Sequence, residues 1–379
     1  MGIDLTHINL CIEPKNIKKS RKNKMAIETK LLVKPEDLNP SFPNWNIKGV
    51  MNPAAIRLPD NKIALFARVA ERPSRKGKFF CPVIVGSDYK TMPEKISKRD
   101  IAKKSRDVVY LKSGVCRLTI FSHFKKIILN ENGVDVEHFG ERPVFTGTPT
   151  EGQYGVEDPR FVKIKRKYLM TYVTVSIHEG VSTSLAASND LIHWKRKGII
   201  FREQNKDVVI FPEKIKGKYV ALHRPEGFFK FSRPSIWISY SPDLAYWGRE
   251  KSIINPRLNS WDEDRIGSGA PPIKTKYGWL EIYHGVKNIK RKKRYSAGAI
   301  LLDLKNPEKI LARSPANRPL FEPTHSFEKK GFINNVVFPT GVVPDLNKKD
   351  LLIYSGGGDS VITVRKVSLK HIFNNMEFY

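Results

Sequence analysis

Long apolar runs are missing from this chain. Nowhere among its 379 residues do about eighteen apolar residues follow one another, and no apolar stretch follows the first basic residues. That argues against both a membrane-spanning helix and a secretory leader, and a cytoplasmic location is the expectation. Cysteine is also scarce. Cys11, Cys81 and Cys116 are odd in number and far apart, so neither a disulfide framework nor a zinc site is expected, and nothing implies a metal or an organic cofactor. Segments of helical period are short, with candidates only near 93–107 and 368–375, which argues against a parallel α/β fold. Acidic residues are outnumbered 38 to 67, for a net charge of +29. The lysines are scattered, with local runs only at 15–24, 103–106 and 289–294 and no recognition motif around them. The reading is a solvated basic surface and no nucleic-acid partner, which leaves an anionic ligand open.

What the chain does contain is a recurring short strand. The segments KIALFARV (62–69), KYLMTYVTV (167–175), KYVALHRP (218–225), GWLEIYHG (278–285) and DLLIYSGGG (350–358) are rich in aromatic and β-branched residues and are bounded by turn residues. Two are followed by nearly the same phrase, SNDLIHWKR (188–196) and SPDLAYWGR (241–249), whose aspartates lie 243 − 190 = 53 residues apart. A β-rich period of about fifty residues is the signature of a four-stranded propeller blade. The expected fold is all-β, a five-bladed β-propeller over residues 25–379, preceded by a basic extension over 1–24. Because they repeat, Asp190, Asp243, Trp194 and Trp247 are read as turn and packing residues.

In a radial fold, equivalent strand ends converge on one axial cavity. That groups Asn52, Arg68, Glu157, Asp158, Arg160, His223, Arg224, Tyr283, His284 and Asp359. Carboxylates among cations suit acid-assisted cleavage of a polar substrate, with an anion held opposite the acid. Blander readings stand beside these. Asp-Pro in YGVEDPR (154–160) is common turn chemistry, His284 reads equally as a buried hydrogen-bonded histidine, and Arg160 reads as orienting Glu157 or Asp158.

Together, GVEDPRF, FPEKIKGKYVALHRP, SPDLAYWG, GSGAPPIKTKYGWLEIYHGV and NNVVFPTGVV resemble glycoside hydrolase family 130, the mannoside phosphorylases and β-1,2-mannosidases, which are five-bladed propellers. The resemblance runs from about residue 51 to the C-terminal strand. It implies inverting attack on a β-mannosidic bond, with Asp158 as general acid acting directly or through a sugar hydroxyl. It implies that Arg224, Arg265, His284 and, less firmly, Lys206 hold inorganic phosphate as co-substrate. Asn52 and Arg68 would contact the cleaved sugar, with Asp359, Glu157, Arg160 and Tyr283 as further substrate-binding candidates. Glu226 departs from the family's small or polar pattern, and Glu263 stands nearby. Either suits a base for a hydrolase, with Glu226 catalytic alongside Asp158, and Glu226 reads equally as an ion-pair partner of Arg224 or Arg233. Phosphorolysis is the first reading, hydrolysis the second, and a glycan-binding propeller without activity the third. A homo-oligomer remains open.

Overall fold

A computed structural model describes residues 27–74, 79–86, 90–227, 231–290 and 292–379; the basic extension and Cys11 lie outside the described residues. The chain is all-β. Five antiparallel sheets carry it, and each begins with a strand whose residues turn out to matter. The first sheet runs Trp45–Arg57, Ile63–Pro73, Phe121–Leu129, Val136–Phe145; the second Val156–Ile164, Lys167–Ser176, Gly180–Ser188, Lys195–Phe201. The third runs Asn205–Ile210, Tyr219–Pro225, Ile236–Ser241, Gly248–Ile254; the fourth Arg265–Ser268, Gly278–Ile289, Lys292–Leu302, Ile310–Arg313, with two short additions. The fifth runs Val337–Pro344, Asp350–Gly357, Val361–Ser368 and is completed by Thr29–Val33 from the other end of the chain.

Side chains alternate across a strand, so each sheet offers an apolar set to both neighbours. In Ile63–Pro73, residues Ile63, Leu65, Ala67 and Val69 join Leu352, Tyr354 and Val364 of the fifth sheet, while Phe66 joins Phe161 and Met170 of the second. In Tyr219–Pro225, Val220 and Leu222 pack towards the fourth sheet and Ala221 towards the second. A further cluster joins the fourth and fifth sheets through Leu280, Ala299, Ile353 and Val367. Each sheet thus shares a core with the sheet before it and the sheet after it, the fifth with the first included.

The repeated phrase makes the same turn twice. Asp190 Oδ1 accepts from the backbone N–H groups of Ile192 and His193, and Asp243 Oδ1 from those of Ala245 and Tyr246, with Leu191 and Leu244 both at positive φ. Trp194 stacks on Phe161, and Trp247 packs on Phe201, in the two cores those turns flank. The expected helix at 368–375 is present as Leu369–Asn374. The one near 93–107 is not. That region holds a single 3-10 turn, Lys98–Asp100, between strands Lys90–Ile96 and Ile101–Lys104, which belong to two small sheets inserted into the first sheet between Ile63–Pro73 and Phe121–Leu129.

Candidate active site

The first strands of the first three sheets carry one extra residue at the same place. Pairing slips between Met51 and Ala54, between Glu157 and Arg160, and between Lys206 and Val209. The residues at this bulge, Asn52, Asp158 and Asp207, all sit at left-handed φ, 46°, 49° and 56°. Asn and Asp tolerate that conformation better than other non-glycine residues, and the prolines after Asn52 and Asp158 lack an N–H that the interrupted ladder does not need. Glu157, Asp158 and Arg160 therefore lie inside the strand Val156–Ile164, not in the turn that Asp-Pro suggests.

The three bulges border a cavity of about 420 Å³. Asn52, Arg68, Glu157, Asp158, Lys206, Arg224, Glu226, Arg265, His284 and Asp359 all line it. On one side Arg68 donates to Glu157 Oε1 at 2.7 Å and to Asp158 Oδ1 at 3.0 Å, and Asn52 Nδ2 donates to the same Asp158 oxygen at 2.9 Å. Both bonds fall on Oδ1, which leaves Oδ2 for a ligand. Burial alone would raise the Asp158 carboxyl, but Arg68, Arg160, Asn52 and Lys206 outweigh it and hold it below the usual range. Asp359 goes the other way. Burial, with Asp158, Glu157 and Asp107 nearby, pushes it up to about 6 against the pull of Arg68.

On the other side stand Lys206, Arg224 and Arg265. Arg224 Nε donates to Asp207 at 2.6 Å, and its Nη1 donates to Glu226 at 2.7 Å. Arg265 lies 3.5 Å from the second oxygen of Glu226, and Lys206 3.7 Å from Glu157. Glu226 thus pairs with Arg224 and Arg265, not with Arg233, whose Nη1 donates to the Glu263 carbonyl. His284 is not a cation here. Burial, opposed by Asp207 and helped by Arg224, Arg160 and Arg265, lowers its pKa to about 3, which favours the neutral ring, and Nδ1 has no partner among the described residues.

Four candidates, Tyr283, Arg160, His223 and Glu263, lie away from the cavity lining; His223 is buried, its Nδ1 beside Asn205 Nδ2 at 2.9 Å and its ring stacked on Phe201. Tyr283 is fully buried between the third and fourth sheets, its hydroxyl donating to Asp262 at 2.7 Å and accepting from Arg313. Period two explains this, because Tyr283 shares a face with Trp279 and His284 takes the other. Arg160 is 2% exposed and spends its guanidinium on the carbonyls of Gly269 and Asp158. It donates to the Asp158 backbone and does not line the cavity. Asp207, Asp107, Tyr295 and Phe338 also line the cavity and were not anticipated. Only Asp207 left a signal, in the alignment of VMNP, VEDP and NKDV at the start of successive sheets. Among the described residues no group of three or more His, Cys, Asp or Glu is arranged to hold a metal, and no helix is long and apolar enough to cross a membrane.

A family model described as beta-1,4-mannooligosaccharide phosphorylase, of glycoside hydrolase family 130, matches residues 119–378. A beta-1,2-mannobiose phosphorylase of Listeria innocua is 31% identical over 91% of this chain and 96% of its own. A 1,2-beta-oligomannan phosphorylase of a Thermoanaerobacter species is 42% identical over 61% of this chain and 74% of its own. The solved complex of the Listeria innocua beta-1,2-mannobiose phosphorylase with beta-1,2-mannobiose superposes with a TM-score of 0.82 at 30% identity, covering 91% of this chain and 96% of that one.

Proposed function

The chain belongs to glycoside hydrolase family 130, and from that premise we infer that it cleaves β-mannosides by phosphorolysis, releasing α-mannose 1-phosphate. The five sheets with their shared cores are read as five blades of one propeller, a single catalytic domain with the cavity on its axis. The observation that carries the function is the division of that cavity, a carboxyl clamped by Asn52 and Arg68 on one side and three cations on the other.

In this reading a β-mannoside lies between the two sides. A phosphate oxygen, held by Lys206, Arg224 and Arg265, attacks the anomeric carbon from the face opposite the departing oxygen. One carbon–oxygen bond forms as the other breaks, which inverts the centre, and Asp158 supplies the proton to the departing oxygen directly or through a sugar hydroxyl. Neutral His284 adds a hydrogen bond to the anion, not charge. Asn52, Arg68 and Asp359 hold the sugar that is cleaved off, beside Glu157. Asp158 is ionised in the empty site. Substrate that displaces water and phosphate that adds negative charge both raise its pKa, so the acid is loaded when both ligands are in place.

Water is the weaker nucleophile here. A base must accept a proton, and Glu226, ion-paired to two guanidiniums, is held below the usual carboxylate range: burial raises it, and Arg224 and Arg265 lower it further than that. The β-1,2 linkage ranks first, because the Listeria relative matches nearly the whole of both chains. The sugar phosphate keeps the energy of the glycosidic bond and is charged, which suits use inside a cytoplasm.

The test is incubation with β-1,2-mannobiose, with and without inorganic phosphate. The expected result is α-mannose 1-phosphate and mannose only when phosphate is present. Free mannose alone, at the same rate in both, would overturn phosphorolysis.

A further inference from the structure

Arg224 and Arg265 are the two guanidiniums on the cationic side of the cavity, and they are not empty. Glu226 spans them with one oxygen each, Oε2 to Arg224 at 2.7 Å and Oε1 to Arg265 at 3.5 Å. Two oxygens of a phosphate would meet the same pair of groups. Glu226 differs in this from the other carboxylate on Arg224. Asp207 is 3% exposed, lies at the bulge of a strand and also faces Arg160 and His284, so it is built in. Glu226 follows the end of Tyr219–Pro225, and its side chain is 25% exposed. With Arg265, Ser232 and Arg233 it also lines a second hollow of about 370 Å³, which offers its carboxylate room outside the main cavity.

The geometry points to Glu226 as a built-in competitor of phosphate: its carboxylate occupies Arg224 and Arg265 in the empty enzyme, and inorganic phosphate binds by displacing it. The inference rests on the reading that these arginines take phosphate. Two anions on one pair of cations repel each other in a partly buried site, so the carboxylate leaves or the phosphate binds weakly. While the site is empty, Glu226 adds a second carboxylate to each guanidinium, beside Asp207 on Arg224 and Asp264 at 3.5 Å from Arg265. When phosphate arrives, it must exchange contacts instead of gaining them, which raises the phosphate concentration needed for half-saturation. A singly charged anion, with less to offer both arginines at once, displaces Glu226 poorly.

Calorimetric titration of the whole chain with inorganic phosphate, without any mannoside, tests this. Glu226→Gln keeps the length of the side chain and an acceptor for Arg224 but removes the charge. Phosphate is expected to bind the variant more tightly by on the order of tenfold or more, since a charge-assisted competitor is replaced by a neutral one. Unchanged or weaker binding would overturn the inference, and so would loss of a water-dependent cleavage in the variant with phosphate binding unaltered, which would make Glu226 a base. A crystal of the unaltered chain soaked in phosphate gives an independent reading that needs no variant. Glu226 should have left both arginines, and phosphate bound beside an intact Glu226 bridge counts against the idea. Neither readout requires turnover. A chain that fails to cleave β-mannosides yet shows this exchange would defeat the proposed reaction and leave the competitor standing.

Discussion

Arg68 and Asp158 meet at 3.0 Å although 90 residues separate them in the chain. Arg68 belongs to the second strand of the first sheet and Asp158 to the first strand of the second, so the contact closes the seam between two sheets where it opens onto the cavity. Arg68 also takes Glu157, and its Nε donates to Ser122, so the guanidinium is held at both ends. The carboxyl proposed as the acid is therefore fixed by a residue that touches the same cavity.

Exchange of that carboxyl for an amide is the direct test of its role. Asp158→Asn should fold, since Asn tolerates left-handed φ, and should lose turnover by a factor on the order of 10² to 10⁴ on β-1,2-mannobiose. The loss should shrink on an aryl β-mannoside whose leaving group needs no proton. Turnover near normal on the disaccharide would remove Asp158 from the mechanism.

Much of this was legible in the sequence, for identifiable reasons. Strands read clearly because their apolar residues are needed on both faces by two neighbouring cores, and the Asp190 and Asp243 turns read clearly because one hydrogen-bonding pattern demands Asp at one place. Tyr283 was misread because its neighbour His284 reaches the cavity, and one residue along a strand reverses the face. Asp207 went unseen because the bulge that aligns it with Asp158 is a matter of register, which pairing reveals and composition does not. The segment 93–107 misled by its lysines, which suit an exposed helix and an exposed edge strand equally.

Asp359 should tune the acid. Each of the two carboxylates makes ionisation of the other harder, and Asp359 is pushed up to about 6 in part by Asp158. Asp359→Asn removes that repulsion, so Asp158 should lose its proton more readily. The alkaline limb of the kcat against pH profile should then move to lower pH. A limb that stays put, or moves up, would show that the two groups do not share a field during turnover.

Stability should fall as the medium turns acidic, and before the carboxylates titrate. His223 and His284 are buried, and burial lowers both to about 3, below the 6.5 of an exposed histidine. Below 6.5 the unfolded chain takes up protons that the folded one refuses, at about 1.4 kcal/mol per pH unit for each histidine. Asp359 and Glu281 have the opposite sign. Burial raises Asp359 to about 6 and Glu281 well above the usual carboxylate range, so both bind a proton first in the folded state and offset about two histidines. His123, also lowered by burial, adds a third histidine to the loss. Urea unfolding at pH 7, 6 and 5 should show a steady loss, and constant or rising stability over that range would contradict the neutral histidines.

Asp207 offers the sharpest separation of positioning from mere support. Its carboxylate accepts from Arg224 Nε at 2.6 Å, stands 3.8 Å from Arg160 and 3.7 Å from His284, and is held far below the usual range: burial raises it, and the Arg224 and Arg160 guanidiniums outweigh that. It thus aims the guanidinium whose other nitrogen donates to Glu226, where phosphate is proposed to bind. Asp207→Asn keeps an acceptor and tolerates the positive φ, but it weakens the charge-assisted bond by about 1 to 2 kcal/mol. The expected result is a phosphate KM raised on the order of tenfold, with the mannoside KM changed much less. Asp207→Ala should behave differently, because the buried Nε of Arg224 loses its acceptor while Glu226 stays on Nη1, and a buried donor left without a partner costs about 1 to 3 kcal/mol of stability. If Asp207 only supports the fold, both variants will lower the melting temperature while phosphate KM in Asp207→Asn stays at its original value, and the positioning role falls.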